Sequence, residues 1–125
     1  AYARAADFPH AHIVKLTAGE LTANHIAQLD CAVVMNHNLG LDAVALKVIQ
    51  AHPLAYVALL GPAHRRDKVL GMAGLSTESF SGVFSAPAGL ALGGELPSAV
   101  ALSILAQCHG VLHGATLKHL DEIMR

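Results

Sequence analysis

The strongest chemical signal in this sequence is a knot of cations. Gly61-Pro62-Ala63-His64-Arg65-Arg66-Asp67-Lys68 places a glycine turn, three basic side chains and a histidine where a helical pattern begins. A helix start presents unpaired backbone N–H groups and the positive end of the macrodipole, which favour an anion. Arginine can grip phosphate bidentately, so phosphate recognition is the functional reading of this stretch. The bland alternative is a solvated helix face, although like charges at that end oppose the dipole. A second cluster, Asn36-His37-Asn38-Leu39-Gly40-Leu41-Asp42, follows an apolar run and gathers polar groups where a ligand would sit. His37 is a candidate there; Asp42 is another, but the preferred reading for Asp42 is a cap on the helix that follows. His109 and His113 are four residues apart on one helical pattern and could share a metal, with Cys108 adjacent. No acidic residue lies between them, so the metalloprotease pattern is missing and a surface or structural role is preferred, with no metal expected. Nor does the sequence contain G-x-S-x-G, a P-loop or G-x-G-x-x-G.

The elements that must position these groups follow from periodicity. His12 to Leu16 reads as a short strand and Ala18 to Leu29 as a helix, with Leu21, Ile26 and Leu29 on one face. Asp30 to His37 is an apolar run ending in polar residues, the pattern of a parallel strand covered on both faces. Leu41 to His52 has helical spacing and is stopped by Pro53. Tyr56 to Leu60 is a second buried strand, and Ala63 to Leu75 a helix with Pro62 in its opening turn. Ser76 to Gly94, rich in Gly, Ser and Pro, reads as an ordered loop. Pro97 to Leu112 is a helix whose apolar face is expected to run through Val100, Ile104 and Leu105, with Gly114 ending it. Alternating buried strands and amphipathic helices give an α/β class with a parallel sheet. In such sheets ligands bind beyond the carboxyl ends of the strands. The site is thereby confined to His37–Asp42, Gly61–Lys68 and Ala86–Gly94.

Composition sets the outer limits. A chain of 125 residues makes one domain, residues 1–125, and its 54% hydrophobic content fills a core without staples. Only 14% of residues are charged, so the surface is expected to pack against another subunit or domain. Eight Lys and Arg against nine Asp and Glu leave a formal charge of −1, with no footprint for nucleic acid. Cys31 and Cys108 sit in apolar surroundings and read as buried free thiols of a reducing, cytoplasmic compartment. The apolar runs are broken well short of the ~20 residues that span a bilayer.

Three segments, in this order, resemble the C-terminal Rossmann-like domain of the XdhC/CoxI family of xanthine dehydrogenase accessory factors. They are Ala32-Val33-Val34-Met35-Asn36-His37 with Leu41-Asp42; Tyr56-Val57-Ala58-Leu59-Leu60-Gly61-Pro62 with Arg65-Arg66 and Lys68; and Ser85 to Glu95 leading into Pro97 and Ala101 to Ile104. Phe8-Pro9-His10-Ala11 also looks like the family's turn before its third strand. The resemblance implies a three-layer Rossmann-like sheet that is incomplete, without the family's first strand, glycine-rich turn and first helix. It also implies a non-enzymatic role: binding molybdenum cofactor (molybdopterin) and assisting its insertion into a xanthine dehydrogenase-type hydroxylase. On that footing a pterin phosphate would suit Gly61, His64, Arg65, Arg66 and Lys68, while His37, Asp42, Gly89 and Gly93 would line the remaining wall. In the usual strand order the absent strand lies between those that remain, so an open edge is expected either to pair in a homo-oligomer or to belong to a fragment. Two other functions stay open: a remnant of an NAD(P)-using oxidoreductase, which lacks the dinucleotide fingerprint, and a structural assembly module without a ligand.

Overall fold

The computed structural model describes Ala6, His10, residues 20–94 and residues 96–115. Its elements run α1 (Ala23–Ala27), β1 (Cys31–Val34), α2 (Leu39–Gln50), β2 (Tyr56–Leu59), α3 (Ala63–Ala73), β3 (Val83–Ser85) and α4 (Pro97–Leu112), with a 3-10 turn at Thr77–Ser79. The strands form a parallel sheet in the order β1-β2-β3. Cys31 to Val34 lie opposite Tyr56 to Leu59, and Tyr56 to Ala58 lie opposite Val83 to Ser85. Parallel neighbours need crossovers, and α2 and α3 supply them.

Period-two alternation divides the sheet into two faces. Val34, Val57 and Leu59 point into a core shared with Ala43, Leu46 and Ile49 of α2, and with Val69, Leu70 and Ala73 of α3. Full burial of an aliphatic side chain such as Leu46 or Leu59 stabilises by roughly 1.5–3 kcal/mol, so this α2–α3 layer is the main source of stability. Cys31, Tyr56 and Ser85 point to the other face, which α4 covers through Ser103, Ile104 and Gln107. The result is three layers, and β2, the middle strand, is buried along its whole length. This is the expected Rossmann-like α/β arrangement.

Several boundaries differ from the sequence reading, each for a local reason. The helix expected from Ala18 begins only after Thr22 and closes at Gln28, five residues long. The loop expected from Ser76 to Gly94 contains β3, whose three residues are too few to show an alternation. α4 has the expected bounds, but Leu105 is 67% exposed and not on the buried face. Ile104 is buried as expected and Val100 half-buried, and the side of α4 that meets the sheet continues through Ser103 and Gly110, small residues that let the helix approach β2. The strand expected at His12 to Leu16 lies outside the described residues. The three described strands are contiguous, with β1 and β3 at the two edges of the described sheet.

Candidate functional site

Because all three strands are parallel, their carboxyl ends meet along one rim, followed by Met35–Asn38, Leu60–Pro62 and Ala86–Gly94. Asp42 organises the first two. It is fully buried one turn into α2, and its Oδ1 accepts hydrogen bonds from the backbone N–H and the Nδ2 of Asn36, at 3.0 and 2.9 Å. Its Oδ2 is paired with Nη1 of Arg65 from α3. Arg65 Nη2 donates to the Asn36 carbonyl at 3.0 Å, and Nη1 also reaches the Leu60 carbonyl at 3.3 Å. One buried ion pair thus joins the tips of β1 and β2 to α2 and α3.

The preferred reading of Asp42 as a helix cap is therefore corrected. Asn38 is the cap of α2, its side chain accepting from the Leu41 N–H at 3.0 Å. Asp42 lies four residues further on, inside the helix, where the first-turn donors are out of its reach. The guanidinium of Arg65 is likewise spent on Asp42 and two carbonyls. Gly61 makes that possible: with φ at 119°, it leaves the space that a Cβ would contest with Arg65 Cδ at 2.8 Å.

Arg66 ties the third segment to the rim. Its Nη1 donates to the Ala86 carbonyl at 3.0 Å, and its Nε to Asp67 Oδ1 at 3.0 Å. The segment then passes through a cis Ala86–Pro87 bond to Gly89, whose N–H donates to Ser85 Oγ and to Gln107 Oε1 at 3.3 and 3.2 Å. Gly89 is packed against α4 so closely that a Cβ would sit 2.3 Å from Ser103 Oγ. Gly93, by contrast, faces open space.

The nine sequence candidates therefore separate by position. Asp42, Arg65, Gly61 and Gly89 build the rim, and Arg66 braces it. His37, His64, Lys68 and Gly93 stand on its exposed side. His64 and Lys68 are one turn apart on α3, and the α3 start beneath them carries Pro62 with no side-chain cap. The amides of Ala63 and His64 precede the first intrahelical donors, Arg65 and Arg66, which bond to the Pro62 carbonyl. This corner can take an anion through backbone N–H groups and one ammonium. Among the described residues no three His, Cys, Asp or Glu side chains are grouped to hold a metal ion. His109 and His113 are exposed, their rings 4.3 Å apart and tilted against each other.

Sequence reasoning placed Asn36 only within a polar cluster, without singling it out, and missed Gln107. Gln107 accepts from the Tyr56 hydroxyl at 2.6 Å as well as from Gly89, linking the middle strand to the β3–α4 segment. Burial, the largest influence, raises the Tyr56 phenol above its ordinary pKa, keeping it a donor in that bond. The available signal was a lone amide on an otherwise apolar helix face. A polar side chain facing the sheet must find a partner.

The family model of the XdhC Rossmann domain matches this chain over residues 1–108, a range that includes the three parallel strands, the Gly61 turn and the β3–α4 segment. The chain belongs to that family. Nothing among curated proteins matches the sequence. A solved structure similar to this XdhC Rossmann domain is a xanthine dehydrogenase from Bacillus halodurans, with a TM-score of 0.58 and 23% identity over 70% of this chain. The likeness covers 25% of that protein, so the present chain spans about a quarter of its length and shares its fold there. No helix of the described residues is long and apolar enough to cross a membrane.

Proposed function

We propose that this XdhC Rossmann domain serves as an accessory module for a xanthine dehydrogenase-type molybdenum hydroxylase, holding molybdenum cofactor by its phosphate. The observation that carries the reading is the uncapped start of α3 beside exposed His64 and Lys68, on a rim braced by the Asp42–Arg65 pair. The family supports the accessory role, and the corner fits the anionic end of such a cofactor. Backbone N–H groups at a helix start are preorganised donors, and Lys68 adds a point charge. Arg65 and Arg66 position this corner and do not themselves need to touch the ligand. Gly93 and His37, exposed on the segments that follow β3 and β1, would line the remaining wall around the pterin. The bound cofactor would bring its metal chemistry to the recipient enzyme; the residues here bind and orient it, and no catalytic group is assigned.

Docking to the hydroxylase or to a second copy of the chain is supported by exposed apolar side chains on α4. Leu102 and Leu105, one turn apart, are 62% and 67% exposed, and Leu96 is 71% exposed. A surface with so little charge gains from being covered. Replacing His64 and Lys68 together by Ala tests the assignment. Cofactor affinity is expected to fall at least tenfold while folding and partner docking persist; unchanged affinity would overturn the site.

A further inference from the structure

Cys31 opens β1 and Cys108 lies in the fourth turn of α4, yet their Sγ atoms are 3.1 Å apart, and both thiols are free. A disulfide bond is about 2.05 Å long, so bonding requires an approach of roughly 1 Å from this position. Both residues are half-buried, which leaves them reachable by a small reagent. Their partners belong to different layers, a strand edge and the covering helix. We propose that Cys31 and Cys108 form a reversible redox modification site, a dithiol that a low-molecular-weight disulfide oxidises to an intramolecular crosslink between β1 and α4.

The reaction balances with oxidised glutathione as the named oxidant. Cys108 Sγ attacks one sulfur of glutathione disulfide; that S–S bond breaks and the first glutathione leaves as a thiolate that takes up a proton. Cys31 Sγ then gives its proton to solvent and attacks Cys108 Sγ, displacing the second glutathione. The protein loses two electrons and two protons, and the glutathione disulfide becomes two thiols. Cys31 acts second because burial, its bond with Cys108 and the nearby Asp30 push its thiol up to about 11, keeping it protonated. The crosslink has a local consequence. Gln107, which precedes Cys108, holds the Gly89 N–H and the Tyr56 hydroxyl, so the bond anchors the helix turn that shapes the β3–α4 segment.

The test is equilibration of the reduced chain with excess oxidised glutathione, followed by thiol counting, intact mass and non-reducing electrophoresis. The expected product is monomeric, has lost both thiols, weighs about 2 Da less and reverts with dithiothreitol. Closing a 77-residue separation should also raise Tm by roughly 10 °C. Cys31→Ser and Cys108→Ser, whose folding circular dichroism would verify, should each fail to form the crosslink. Both thiols remaining free, glutathione retained on the wild-type chain, or covalent dimers in place of the monomeric product would each overturn the proposal.

Discussion

Replacing Arg65 with Met removes the only cation paired with Asp42 among the described residues and leaves a fully buried carboxylate. Breaking one side of a buried ion pair typically costs about 3–5 kcal/mol, because the surviving charge stays desolvated. Two features place this case at the lower end. Asp42 keeps its two hydrogen bonds from Asn36, and the Arg65 side chain is 19% exposed, so solvent already screens part of the interaction. The expected loss is therefore about 3 kcal/mol. With a urea m-value of about 1.5 kcal/mol per M, ordinary for a small domain, the midpoint should fall by about 2 M. Asp42→Asn in the same background removes the stranded charge while its side-chain oxygen can still accept from the Asn36 N–H. The double variant should accordingly recover about 1–2 kcal/mol relative to Arg65→Met, a coupling normal for contacting groups. Urea unfolding followed by circular dichroism on the four chains measures this cycle. A loss below about 1 kcal/mol for Arg65→Met, or simple additivity of the two changes, would refute the structural role given to the pair.

Other expectations follow from single observations. Gly89→Ala should destabilise by about 1–3 kcal/mol more than Gly93→Ala in thermal unfolding, because both have positive φ but only Gly89 meets Ser103. Replacing His64 and Lys68 by Ala should change stability by no more than about 0.5 kcal/mol, since both are exposed, and equal destabilisation to the Arg65 variant would contradict the separation of rim from corner. Cys31 holds its proton more tightly when folded, its thiol pushed up to about 11 from an ordinary 9.0. Its contribution to stability is present below pH 9 and is lost as pH rises towards about 11, and Cys31→Ser should flatten that slope in a pH series of unfolding curves.

The repeating pattern of the fold could be read from the sequence, and its exceptions could not. β1, α2, β2, α3 and α4 were recognisable because each carries a run long enough to show its period, and Pro53 and Pro62 mark boundaries by chemistry alone. β3 has three residues and no period, so its identity comes only from lying beside β2. The same limit applied to the site. Cations at the α3 start were visible as a cluster, but which of them remained available depended on Asp42, twenty-three residues away in sequence from Arg65. Sequence spacing finds candidates for a ligand; burial decides that Arg65 and Asp42 satisfy each other. The meeting of Cys31 with Cys108 is likewise a product of α4 crossing the sheet, and nothing local to either cysteine signals it.

The central claim is that the α3 corner of this XdhC Rossmann domain holds molybdenum cofactor. Anaerobic titration of the purified chain with molybdenum cofactor, with light scattering for mass, tests it most directly. The account predicts saturable binding of one cofactor per chain, weakened at least tenfold in the His64 and Lys68 double variant. A well-folded chain that binds none, or that binds equally well without those two side chains, would contradict it.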